Sequence, residues 1–402
     1  MQGVHHYVNF GSNVYAVMLD ASKAFDRVEY VKLFEILVER NICPVVIRFL
    51  IVMYTCHGIR IKWGTGTSDV CPVSNGVKQG GVLSPLLFTA YIDKLLVQLR
   101  ESNAGCYIGD TFCGALGYAD DLLLLCPTRS SIDRALAICI NCAQDLNVIF
   151  NPRKSKALVF GKRSAETITI TFEGEKLEIV ESESYLGYKF GANTVNSNVD
   201  ICIQDFYCRV NMIKSHFKYA SLNLKYMLFK TYCMPLYGSQ LWDFSSEYVS
   251  KFYTAWRKAI RFLLDLPYTT HCDLLHHICC DNRIDIQLYM RFVKFAKSFC
   301  FSQNALTRMC YNSAVNGSGS NVSKSIGHLS YLLNVPRESV KLVSQGVIAG
   351  LSGHTDSERA NASVIRDLIS LRYSSTTDCQ NNSSSCLTLD EVDYLIVELC
   401  TN

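Results

Sequence analysis

The chain has 402 residues, 49% of them hydrophobic and 19% charged, with a formal net charge of +3. That mixture excludes a disordered polyelectrolyte, and the length allows two or three domains with real cores. No apolar run reaches the roughly 18–20 residues of a membrane span, and no basic segment followed by an apolar stretch opens the chain, so neither a membrane protein nor a secreted one is expected.

Residues 14–19 are a continuous run of strand-forming types ending at Asp20, and read as a buried strand. Helical periodicity follows over 22–39, through Phe25, Val28, Leu33 and Leu37. A second helix is predicted over 44–55, with Pro44 in its first turn. Residues 59–63 alternate as a strand does. A Gly-rich loop over 74–81 leads into a long amphipathic helix over 84–101, with Pro85 at its start. In 117–126 two acids directly precede an apolar run, which predicts a tight hairpin with Asp120 and Asp121 at its turn. Residues 131–147 read as a helix, and 156–160 and 167–180 as strands with a turn at 173–175. Beyond about residue 195 helical periods dominate, so a domain boundary is placed there. The Gly-, Ser- and Asn-rich stretch 316–325 reads as a flexible linker between a helical segment (196–315) and a partly helical tail (326–402), and 374–386 as a loop.

Composition adds two hints. Many of the 19 cysteines sit in apolar runs, as Cys126, Cys233 and Cys300 do, and read as reduced intracellular thiols. Residues 201–300 hold 13 Lys and Arg against 7 Asp and Glu. That excess suits a surface facing phosphates, through Arg209, Lys214, Lys218, Lys225 and Lys230, and equally suits a solvated bundle. The group His271, Cys272, His276, His277, Cys279 and Cys280 has zinc-ligand residue types, but its spacing matches no common finger, and zinc is not expected.

The chemistry rests on three acids. If the strand ending at Asp20 neighbours the hairpin carrying Asp120 and Asp121, their carboxylates converge. Such a cluster is stable mainly when divalent cations neutralise it. Two ions roughly 3.5–4 Å apart suit in-line phosphoryl transfer. An isolated Asp-Asp pair would more often cap a turn. The loop Asn75 to Pro85, with adjacent glycines before a helix, allows close backbone approach to a substrate.

Together these segments resemble the reverse transcriptases of non-LTR (LINE-type) retrotransposons. Asp20-Ala21-Ser22-Lys23-Ala24-Phe25-Asp26 is similar to that family's first palm motif, Asn75 to Pro85 to its second, and Tyr118-Ala119-Asp120-Asp121 to its third. Phe150 to Lys156 and Tyr185-Leu186-Gly187 resemble the fourth and fifth, and all five fall in family order. The resemblance implies an α+β fold: a polymerase palm, an antiparallel sheet backed by helices, over 1–195, followed by a mainly α-helical thumb and C-terminal region. It implies Asp20, Asp120 and Asp121 as ligands of two Mg²⁺ ions, and Lys154 near the departing pyrophosphate. Phe25 becomes a steric gate against the 2′-hydroxyl, Gln79 and Gly80 become nucleotide contacts, and Tyr185, Leu186 and Gly187 form a primer grip. The implied activity is RNA-directed DNA polymerisation, with an RNA template, a DNA primer and dNTPs as partners, no membrane, and a nuclear or cytoplasmic location.

The sequence departs from the family at its start. Only 19 residues precede Asp20, and no Arg or Lys occurs before Lys23. The chain therefore reads as N-terminally truncated, with fingers largely missing and turnover impaired. Two alternatives stay open: a catalytically silent nucleic-acid-binding remnant, and an intron maturase that shares the palm.

Overall fold

The computed structural model describes residues 2–161, 168–191, 195–352 and 356–374, with positions 395, 396 and 398. It divides into two compact units, Met1–Ala192 and Asn193–Asn402.

The first unit is built on a five-stranded sheet. In chain order its main elements are α1 (Gln2–Asn9), β1 (Val14–Asp20), α2 (Tyr30–Glu39), α3 (Pro44–Thr55), α4 (Ser84–Glu101), β2 (Ala115–Tyr118) and β3 (Asp121–Cys126). Then follow α5 (Arg129–Asp145), β4 (Lys156–Phe160), β5 (Glu178–Ile179) and the ribbon of β6 (Ser182–Tyr185) and β7 (Tyr188–Gly191). The sheet order is β5-β4-β1-β3-β2. Its pairings are antiparallel except at the edge, where β5 runs parallel to β4.

The central position of β1 explains its unbroken apolar sequence. Val17 and Leu19 join a core with Phe88, Tyr91 and Leu95 of α4 and Ile132, Leu136 and Cys139 of α5. Ala16 and Met18, on the other face, are buried as well. A strand covered on both sides has no polar face to alternate with. Helix α5 starts where Thr128 accepts the backbone N–H of Ser131 at 3.1 Å, a side-chain N-cap.

Two local expectations change and a third is met. The stretch 22–39 is not one helix: Lys23 is left-handed (φ 52), Ala24–Arg27 form a 3-10 turn, and Val28 is extended before α2 begins. Residues 59–63 split between two ribbons, Gly58–Ile59 with Cys71–Pro72 and Lys62–Trp63 with Gly66–Thr67. The strands expected over 167–180 and their turn are present as a hairpin, Thr171–Phe172 with Glu175–Lys176, followed by β5, while residue 167 lies outside the described residues.

The second unit is helical: α6 (Val195–His216), α7 (Leu222–Tyr232), α8 (Glu247–Leu263), α9 (Cys272–Ile278), α10 (Ile284–Cys300), α11 (Ala305–Val315), α12 (Asn321–Leu333), α13 (Gln345–Ala349) and α14 (Asp356–Ser374). Phe206 packs edge-on against Phe229 and Phe252, and Phe252 against Trp242. The expected linker at 316–325 is not one. Only 316–320 lie between α11 and α12, and Ser325 is buried, donating to the Trp242 carbonyl at 2.7 Å and accepting from the Phe244 N–H at 3.1 Å. The segments on either side of it thus share one core. Of the loop placed at 374–386, Ser374 closes α14 and the rest lies outside the described residues. Every cysteine among the described residues is a free thiol, and none of their helices is long and apolar enough to cross a membrane.

Candidate active site

Strand pairing brings the acids together. Asp20, the last residue of β1, stands directly opposite Asp121, the first of β3. Facing residues in an antiparallel ladder have Cα atoms only about 4.5–5.5 Å apart. Asp120 sits in the two-residue turn from β2 to β3, with Tyr118 paired to Asp121 across it. Ala119, the other turn residue, has φ 53. For an L-residue that backbone costs roughly 1–2 kcal/mol, a strain of the kind that clusters at functional sites.

The acids are open to solvent on one side and backed on the other by an apolar recess lined by Phe88, Leu96, Val148 and Phe150. Partial burial of the Asp121 carboxyl holds its pKa above the usual carboxylate range, and the charges of Asp120 and Asp20 add to the rise. Asp121 therefore lies within the field of both other carboxylates.

The segment Phe150–Lys156 fixes Asp20 from behind. Phe150 bridges Ala21, and the Asn151 N–H donates to the Asp20 carbonyl at 2.8 Å. The Ser155 hydroxyl accepts from the Asp20 N–H at 3.2 Å and donates to the Asn151 carbonyl at 2.8 Å. Both main-chain groups of Asp20 are thereby committed, leaving only its side chain to act. Lys154 places its Nζ 4.0 Å from Asp20 Oδ2 while staying largely exposed. The role of Ser155 has no signal in the sequence, because a small hydroxyl between two lysines gives no sign that it is buried.

The Gly-rich loop docks on the turn that follows β1. Backbone N–H groups of Gly76 and Val77 donate to the carbonyls of Val28 and Phe25, each at 2.8 Å. At Gly76 (φ +89) a Cβ would lie 2.9 Å from Asp26 Cα, so only glycine fits this close approach. Gln79 donates to Asp26 Oδ1 at 3.3 Å, a second partner missed in the sequence. Gly80 (φ +78) has open space where a Cβ would stand. Phe25 is half-buried and stacks on Phe88 with ring centroids 4.8 Å apart.

Tyr185 closes β6, and Leu186 (φ 51) and Gly187 (φ 72) make the turn into β7. Two successive positive φ values are the mark of a tight hairpin of the type I′ kind. The Tyr185 hydroxyl donates to the Leu116 carbonyl of β2 at 3.3 Å. Burial, aided by the Asp121 charge, pushes its pKa up to about 12.

Among the described residues no three His, Cys, Asp or Glu side chains form a ready-made metal cage, the three aspartates and the His/Cys group at 271–280 included. The aspartates are nonetheless the right donors for a hard divalent cation: all oxygen, all carboxylate, and mutually repelling until neutralised.

The sequence comparisons agree with this geometry. Residues 2–190 match the family described as reverse transcriptase (RNA-dependent DNA polymerase). The chain is 32% identical over 145 residues to the Pol polyprotein of the type-1 retrotransposable element R2 of Nasonia vitripennis, covering 36% of this chain and 14% of that one. Over residues 2–190 the chain is thus similar to reverse transcriptases, and over part of that stretch to a retrotransposable-element Pol polyprotein. The R2 Pol polyprotein of Popillia japonica is 27% identical over 290 residues, 68% of this chain and 47% of the relative. That share exceeds the first unit, so the likeness to this Pol polyprotein continues into the second. The chain spans less than half the length of either relative. A solved telomerase structure from Candida albicans is similar with a TM-score of 0.37 at 12% identity, over 85% of this chain and 51% of that one.

In the second unit the expected basic track is thinner than its sequence. Lys225 is fully buried, and Lys214 and Lys230 pair with Asp265 and Asp281. Arg209 donates to the Tyr232 carbonyl at 3.1 Å, and Lys218 lies over the ring of Tyr219.

Proposed function

We propose that the first unit extends a DNA primer with deoxynucleotides on an RNA template. The observation that carries this reading is the register that sets Asp20 against Asp121 with Asp120 in the adjoining turn. Asp20, Asp120 and Asp121 would hold two magnesium ions. Bound there, such ions supply charge neutralisation and activation of the primer 3′-hydroxyl. The protein's own share is positional. Ser155 and Asn151 fix the Asp20 backbone, so its carboxylate keeps one orientation. Lys154, beside Asp20, is placed to meet phosphate oxygens and to protonate a departing pyrophosphate. Gly80 leaves its backbone open for a nucleotide, and Gln79 is held beside it through Asp26. Phe25, stiffened by stacking on Phe88, sets the floor that a 2′-hydroxyl would strike. The turn Leu186-Gly187, anchored to β2 by Tyr185, is the primer rest.

The test is primer extension on poly(rA)·oligo(dT) with Mg²⁺, comparing the chain with Asp120→Ala. Extension by the parent chain alone is expected. If neither protein extends the primer while both bind the duplex, the catalytic reading fails and the silent-remnant reading replaces it.

A further inference from the structure

The first unit leaves an apolar face open on α2 and α3 that the polymerase reading does not use. Helix α3 has one charged residue, Arg48, in its twelve positions. A helix that is apolar on every side is ordinarily covered on every side. Here Ile47, Leu50 and Tyr54 are buried, while Val45, Phe49 and Val52, on the opposite face, are 70%, 64% and 60% exposed. Their spacing of four and then three residues makes one stripe along the helix. Helix α2 packs on α3 across the short connection 40–43 and turns Val31 and Val38 outward, at 70% and 60% exposure. Ile42, in that connection, is exposed as well.

The size of this face bears on what covers it. The nine exposed large apolar residues between Val31 and Met53 leave roughly 800 Å² open, above the roughly 300–600 Å² of the largest patch on a typical monomer. One partner of a standard stable interface buries about 800 Å². The face is thus large enough to be one half of such an interface.

Its charges select the occupant. Glu35 and Glu39 of α2 are exposed beside the apolar residues, and they oppose the phosphates of an anionic lipid surface or a nucleic acid. Glu35 on α2 and Arg48 on α3 are both exposed, and neither makes an ion pair among the described residues. One patch therefore holds both halves of a salt bridge, unmade, on two different helices. A two-fold interface joins the same patch of two copies, so that if one residue meets another, the reverse contact is made too. We infer that α2 and α3 form a two-fold interface with a second copy of this chain. The stripe of Val45, Phe49 and Val52 closes on its counterpart, and Glu35 of each copy meets Arg48 of the other. This inference rests on the first unit alone and is independent of the catalytic reading.

The experiment is sedimentation equilibrium on the full chain over about 1–50 μM, the range in which a micromolar pair associates. A reversible monomer–dimer equilibrium is expected. Phe49→Glu should weaken it by at least about thirtyfold, as loss of a central apolar anchor does. Glu35→Arg and Arg48→Glu should each weaken it about tenfold, because each sets like charges against one another. An equimolar mixture of those two single variants should associate as tightly as the parent to within about threefold, since every facing pair in the mixed dimer is again of opposite sign. All three positions are exposed, so the variants should keep the parent's melting curve. A chain that stays monomeric throughout the range, or that forms polydisperse larger assemblies, would overturn the inference. So would dimers indifferent to Phe49→Glu, or a mixture that associates no better than its components. Because no primer is extended, failure here leaves the polymerase reading untouched, and the reverse holds as well.

Discussion

Replacing Ser155 by alanine removes a single hydroxyl and two hydrogen bonds, to the Asn151 carbonyl at 2.8 Å and from the Asp20 N–H at 3.2 Å. Ser155 is 1% exposed, so water does not take its place. A buried N–H left without an acceptor costs about 1–3 kcal/mol. In a unit of this size each kcal/mol lowers the melting temperature by about 2–4 °C, which gives an expected drop of roughly 2–12 °C. The second effect is on geometry, because the lost bond sets where Asp20 sits opposite Asp121. A displacement of about 1 Å at a catalytic group can cost about a hundredfold in rate. Single-turnover primer extension should therefore slow by about ten- to a hundredfold while primer–template affinity stays level. Ser131→Ala is the control: it is also buried, and bonds Thr128 at the start of α5. It should lose stability without a matching loss of extension rate. If Ser155→Ala melts within about 1 °C of the parent and extends primers as fast, the positioning account of the segment is wrong.

Asp121→Asn removes one of three mutually repelling charges. Without metal it should melt at or above the parent, whereas added Mg²⁺ should raise the parent's melting temperature and leave the variant nearly unmoved. Saturation at about a hundred times Kd is worth about 2.7 kcal/mol to the parent, and equal Mg²⁺ shifts would refute the shared-cation reading. Gly76→Ala should destabilise more than Gly80→Ala, since a Cβ at Gly76 meets the Asp26 backbone and one at Gly80 meets nothing. Gly80→Ala should instead raise KM for dNTPs, and a reversed order of melting temperatures would sink that distinction. Phe25→Val should raise the ratio of ribonucleotide to deoxynucleotide incorporation about tenfold or more, by relieving a clash of one to a few kcal/mol; an unchanged ratio would leave Phe25 a packing residue only. Lys218→Gln should reduce the salt dependence of duplex binding by about one counter-ion, while Lys225→Gln should lower the melting temperature and leave that slope alone. Identical slopes in both variants would remove Lys218 from the nucleic-acid surface.

What the sequence made legible was whatever depends on local pattern. The bounds of β1, α3 and α4 follow from apolar runs and from Pro44 and Pro85 at helix starts, and the hairpin bearing Asp120 follows from acids placed before a buried strand. The rest was hidden because it depends on contacts distant in sequence or on backbone state. Lys23 is left-handed and interrupts a stretch whose apolar spacing looks continuous. Ser155 is indistinguishable from a surface serine until Asp20 is seen above it. The Ser-rich 320–325 has a linker's composition, yet its hydroxyls cap α12 and bond the Trp242 segment. Lys225 has a phosphate-binding residue type on a helix, but that helix turns it inward.

The face-to-face placement of Asp20 and Asp121 also determines what kinds of change this protein can absorb. A one-residue slip of β1 against β3 would take Asp20 out of line with Asp121, so the acid pairing exists only in the register that also sets Leu19 opposite Leu122. The hundred residues between the two acids impose no such constraint. Their proximity comes from strand pairing and not from the length of the intervening chain. Insertions in the exposed ribbons between Gly58 and Pro72 should lengthen the journey without moving its end points.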